Sequence, residues 1–148
     1  MRQLIRESIG APIVRSHAEA ATAGVPPARP LRELHAVYRY LADHVQYRRD
    51  PDEVEWLQAP WWVLYQVDLG RVPQLDCDDL TMLSLAMLGT IGFDGLSIRV
   101  VSTRQDQAFN HVYGLARVGD ALVPVDLTRA WQRAAGPMLE TRHWDLAV

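Results

Sequence analysis

Residues 74–101, QLDCDDLTMLSLAMLGTIGFDGLSIRVV, run from an acidic start through a long apolar stretch and a glycine-rich turn to an alternating segment. From Asp78 to about Ile91 the apolar residues Leu80, Met82, Leu83, Leu85, Ala86, Met87, Leu88 and Ile91 leave no broad polar face. Such a pattern predicts a helix buried all round. Gly89 and Gly92 suit its end, and TIGFDG reads as the exit turn. Leu96, Ile98 and Val100 then alternate with Ser97 and Arg99, which is the period of a strand. Cys77, the single cysteine, thus stands at the N-terminus of a central helix, flanked by Asp76, Asp78 and Asp79. These carboxylates complement the helix dipole and can cap its first amides or anchor the loop before it.

Two further strand-like runs follow, AFNHVYGLARV and ALVPVDL, joined by Gly119-Asp120 as a two-residue hairpin turn. If Val118 and Ala121 close the turn, Tyr113 faces Asp126 and His111 faces Thr128. Alternation then puts all four side chains on one face, with His111 a diagonal neighbour of Asp126. A bulge or a three-residue loop would turn Asp126 to the opposite face.

Upstream, residues 1–28 read as an N-terminal arm with short helices, broken at Gly10-Ala11-Pro12 and ended by Gly24-Val25-Pro26-Pro27. The main domain is expected over 29–148. Leu31, Leu34, Tyr38, Leu41 and Val45 recur at helical spacing behind Pro30, giving a helix over about 30–47. RRDPDE breaks it, and VEWLQAPWWVLYQV follows with three of the five tryptophans and a short helix opened by Pro60. The last segment, RAWQRAAGPMLETRHWDLAV, carries Trp131 and Trp144 and gives no clear period. A buried helix joined to short alternating strands makes the fold class α+β.

The chain has 148 residues, 49% hydrophobic and 22% charged, enough for one domain with a core of its own. A net charge of −3 and the lack of a basic stripe argue against nucleic acid. No apolar run is long enough for a signal sequence or a membrane span, so a cytoplasmic protein is expected. All 15 basic residues are arginine, which leaves no lysine amine in the chain itself.

Cys77, His111 and Asp126 together supply the parts of acyl transfer. A thiolate attacks a carbonyl, an imidazole moves protons, and a carboxylate fixes the imidazole tautomer and stabilises its charged form. The helix N-terminus adds positive potential beside the nascent oxyanion. The neighbouring aspartates work against a thiolate, so pairing with protonated His111 is expected to carry the activation.

At these residues the sequence resembles the transglutaminase-like superfamily, a circular relative of papain-like folds. The resemblance covers about residues 30–130: YRYLADHVQYRRDP, QLDCDDLTMLSLAMLGTIGFDGLSIRVV and FNHVYGLARVGDALVPVDLT. It is closest to short members encoded by tailed phages and prophages, where the DCDD form of the motif occurs. The resemblance implies Cys77 as nucleophile, His111 as general base and acid, and Asp126 as the orienting carboxylate. It also implies a protein or peptide substrate, no cofactor, and a bacterial host cytoplasm or a virion as location. Leu75 and Leu127 depart from the glycine and proline often found at those positions. For the oxyanion hole or the cleft, Gln58, Trp61, Trp62 and Gln74 compete, and EWLQAP favours Gln58 by resemblance.

Two other readings are open. The fold could serve as a catalytically silent assembly protein that docks on phage structural proteins. A metal site is disfavoured, because His17, His35, His44, His111 and His143 show no paired helical spacing and one cysteine forms no thiolate cluster.

Overall fold

Pro12, Pro30 and Pro60 each open a helix, at the position where a missing amide hydrogen costs nothing. The computed structural model describes all residues except 52, 53, 55, 104–107 and 131–141. Among the described residues the order is α1 (Arg2–Ser8), α2 (Pro12–Thr22), α3 (Pro30–His44), β1 (Gln46–Tyr47), α4 (Pro60–Asp68), β2 (Gln74–Leu75) and α5 (Cys77–Thr90). Then come β3 (Ser97–Ser102), β4 (His111–Val118), β5 (Ala121–Val125), a short 3-10 helix (Leu127–Ala130) and β6 (Arg142–Ala147). The protein is α+β, with an antiparallel sheet in the order β5-β4-β3-β6.

α5 runs through the middle of the core. Ten consecutive residues, Asp79 to Leu88, are buried, because helices cover one side of α5 and the sheet covers the other. On the sheet side, Val112 and Ala116 share its cluster. Gly114 lets the strand backbone come close, since a Cβ there would lie 2.8 Å from Leu85 Cδ2. Tyr113 and Leu115 point away from α5 and pack with Val101 instead.

Residues 1–28 do not form a separate arm. The short helices expected there are present, but Ile5, Val14 and Ala18 are fully buried in the same core as α5. The punctuating Gly10 and Pro12 bend the chain so that both apolar faces meet α5, and Thr90 Oγ1 takes the Gly10 amide at 3.0 Å. The expected boundary near Arg29 therefore falls inside one continuous core.

The β4–β5 hairpin has the register read from the sequence, with Val118 paired to Ala121 and Gly114 to Val125. Gly119 has φ of 60°, the left-handed value that the first central position of a II′ turn requires. β6 pairs antiparallel with β3 through all six of its residues. Its alternation was illegible because Arg142, His143 and Asp145 are charged or polar on both faces of an exposed edge. Trp144 is exposed on that strand, and Trp131 lies outside the described residues. No helix among the described residues is long and apolar enough to cross a membrane.

Candidate active site

β5 stops pairing with β4 at Val125, and the chain turns aside into the 3-10 helix. The first residues of β4 are left with an open hydrogen-bonding edge, which the first turns of α5 occupy. Thr81 Oγ1 donates to the Val112 carbonyl at 3.3 Å. One turn earlier on α5, the Val112 amide points at Cys77 Sγ. The thiol thus lies against the backbone one residue from His111.

The turn after β5 brings Asp126 back to His111. His111 Nε2 lies 3.0 Å from Asp126 Oδ2. Asp126 Oδ1 accepts from the Thr128 amide at 3.2 Å and the Thr128 hydroxyl at 2.6 Å. Asp126 and Thr128 are buried and His111 half-buried, so the pair is shielded from solvent. With Nε2–H donated to Asp126, the lone pair of the neutral ring is left on Nδ1, which has no hydrogen-bond partner among the described residues.

Cys77 and His111 are not hydrogen-bonded to each other. The thiol donates instead to Asp78 Oδ1 at 3.6 Å. Burial first, and then the charges of Asp78 and Asp76, push the thiol up to about 12, with the Val112 amide opposing them in part. The resting residue is therefore a protonated thiol. Burial also raises the Asp78 carboxyl, and the hydrogen bond from the Cys77 thiol lowers it in part.

The three aspartates divide their tasks. Asp76 is the N-cap, and its Oδ1 accepts the amides of Asp78 and Asp79 at 3.0 and 3.2 Å. That leaves the Cys77 amide outside the cap. Asp78 holds the thiol proton. Asp79 is 2% exposed and takes the Gln58 amide at 2.7 Å and Gln58 Nε2 at 3.2 Å. Burial raises Asp76 to about 6 and Asp79 to about 7. The ligand atoms of Asp76, Cys77 and Asp78 lie within 4.8 Å of one another, but Asp76 Oδ1 is committed to the cap and the Cys77 thiol to Asp78 Oδ1.

Gln58 is not poised as an oxyanion donor. Its side-chain amide donates to Gln74 O and to Asp79 Oδ2, both at 3.2 Å, so both hydrogens are committed to the loop and the helix. Gln74 differs: its Oε1 accepts from Arg48, and its Nε2 has no hydrogen-bond partner among the described residues. Gln58, Gln74, Trp61 and Trp62 line an open cleft of about 820 Å³, together with Trp56 and Arg48. The tryptophans form its walls, with Trp56 71% exposed.

Sequence reasoning put Thr128 on the face of His111 and Asp126 without giving it a role, and it did not single out Arg48. For Thr128 a signal existed, since an aspartate after a strand commonly accepts the amide two residues on, which brings the side chain of that residue beside the carboxylate. Arg48 carries no such local signal, because its partners are supplied by β2. The chain matches no known family profile, and comparison with curated proteins finds no relative.

Proposed function

We propose that this protein is a cysteine-dependent acyl-transfer or amide-hydrolysing enzyme with a transglutaminase-like, papain-like core, acting on a protein or peptide through a thioester. The observation that carries the reading is the Asp126–His111 contact through Nε2, which leaves Nδ1 as the base at the strand end where Cys77 adjoins Val112.

In this mechanism His111 Nδ1 takes the thiol proton as Sγ bonds to the carbonyl carbon. The Cys77 amide, left free by the Asp76 cap, and the helix N-terminus stabilise the oxyanion. His111 returns the proton to the leaving nitrogen, the C–N bond breaks, and a thioester remains. Water or an amine then attacks the thioester, His111 takes the proton of that nucleophile, and Sγ leaves and is reprotonated. Water gives proteolysis or deamidation, and an amine gives transamidation.

A second reading has its own support. The thiol is bound to Asp78 and raised to about 12, as in a fold that keeps the arrangement without the reaction. On that reading the protein is a structural component of a phage particle.

The test is incubation with a glutamine-rich peptide pool and a fluorescent primary amine, read by mass for cleavage, for conversion of amide to acid, and for amine incorporation. The enzyme reading expects product that falls by about 100-fold or more in Cys77→Ala and in His111→Ala. Product formation unchanged in Cys77→Ala, or none from the wild type, would favour the silent assembly protein.

A further inference from the structure

Arg48 is held at both ends of its length. Its amide donates to the Leu75 carbonyl at 2.8 Å, beside the parallel pairing of β1 with β2. Its guanidinium Nη1 donates to Gln74 Oε1. Both partners immediately precede the Asp76-Cys77 helix start, so the guanidinium is pinned in place relative to the thiol. Most arginine side chains lose considerable rotamer freedom on binding a ligand, and this one has already lost it.

The guanidinium lines the tryptophan-walled cleft and is exposed. Its side-chain partner is a neutral amide, and no carboxylate pairs with it among the described residues. Arg49 also lines the cleft, with the Tyr47 hydroxyl as its partner. The cleft's described acid is Asp50, whose Oδ2 already takes the Trp56 amide at 2.7 Å. The described lining thus offers two guanidinium groups against one engaged carboxylate. Around them, Trp56, Trp61 and Trp62 present large apolar faces to solvent. A volume of about 820 Å³ is the size of a pocket that takes several side chains.

We infer that this cleft binds an extended peptide in which an aspartate or glutamate pairs with Arg48 while a neighbouring apolar or aromatic side chain rests on the tryptophan wall. A carboxylate matches the planar fork of a guanidinium through two parallel hydrogen bonds. The indole faces supply apolar contact and add no charge, so an acid flanked by an apolar residue uses both parts of the lining. The inference deepens the proposed function by naming its substrate class, and rests on that reading only for what happens after binding.

The test displays a randomised hexapeptide library to the full-length wild-type protein, to Cys77→Ser and to Arg48→Gln, with folding of each checked by circular dichroism. Expected is recovery of peptides in which Asp or Glu neighbours Phe, Trp, Leu or Ile, equally by wild type and Cys77→Ser. One recovered peptide, measured by tryptophan fluorescence, should lose about tenfold in affinity in Arg48→Gln, and the same when its acid is replaced by the amide. Both changes together should cost no more than either alone. Recovery of no peptide, recovery without acidic enrichment, or equal affinity in Arg48→Gln overturns the inference. Quenching by neutral chitohexaose without peptide recovery would overturn it also, and assign the cleft to a glycan. Because binding is read in Cys77→Ser as well, acidic enrichment without any turnover would sink the enzymatic reading alone.

Discussion

Thr128 Oγ1 lies 2.6 Å from Asp126 Oδ1, on the carboxylate oxygen opposite the one that faces His111. Thr128 therefore orients the ring through the acid without touching it. Thr128→Val keeps the shape and removes the donor. Denaturant titration should show a loss of about 1–3 kcal/mol, the cost of leaving a buried acceptor short of a partner. Nitrogen-15 NMR of wild type above neutral pH should place the His111 proton on Nε2, and a ring protonated on Nδ1 instead would contradict the assigned base.

Thiol reactivity follows from Asp78. Intact-mass alkylation of wild-type Cys77 should be slow at neutral pH and climb steadily into alkaline conditions, because burial and two carboxylates oppose the thiolate. Asp78→Asn should speed it several-fold at pH 8. A fast reaction that levels off below about pH 7 would mean a preformed thiolate–imidazolium pair, in conflict with the thiol's bond to Asp78.

Stability should respond to pH through two opposed groups. Asp79 is raised to about 7 from an ordinary 3.8, chiefly by burial. Its contribution is fully present below about pH 4 and is lost as the pH rises toward 7. His17 is lowered from 6.5, chiefly by burial that outweighs the attraction of Asp68, 3.1 Å away. Its contribution is present above about pH 6.5 and is lost as the pH falls below that. In thermal melts from pH 4 to 7, Asp79→Asn should tilt the profile toward greater stability at the higher end. His17→Gln should tilt it toward the lower end, and parallel profiles for all three proteins would refute both assignments.

The N-terminal helices should behave as core. Ile5→Ala should cost about 2–5 kcal/mol in denaturant titration, whereas an appendage would leave the main transition untouched.

Gly114→Ala forces a methyl against Leu85 where β4 crosses α5. We expect a loss of about 1–3 kcal/mol. Gly89→Ala meets Ile9 Cδ1 at 2.7 Å, but that side chain is at the surface and can turn away, so it should cost less. Equal losses would mean that β4 yields as readily as a surface side chain.

Much of this architecture is legible in the chain. The run from Leu80 to Leu88, apolar except for Thr81 and Ser84, specifies α5, and the Gly119-Asp120 turn specifies the register that returns Asp126 toward His111. What is not legible depends on contacts distant in sequence. The amphipathic pieces around Ile5 and Val14 look like an appendage until α5 is present to cover them. Gln58 looks like a free amide until Asp79 and Gln74 claim its hydrogens. β6 has too little apolar alternation to be recognised without β3 beside it.

The meeting of α5 with the open edge of β4 has a consequence for what the scaffold could host. Thr81 and Cys77 are referenced to the carbonyl and amide of Val112, which every amino acid except proline would present in the same way. The address of residue 77 is thus written in main-chain atoms, and the occupants of positions 77, 78, 111 and 126 do not define it. Exchanging those side chains should alter the chemical groups on offer while their place stays put, which makes this corner of the molecule a socket whose contents can change.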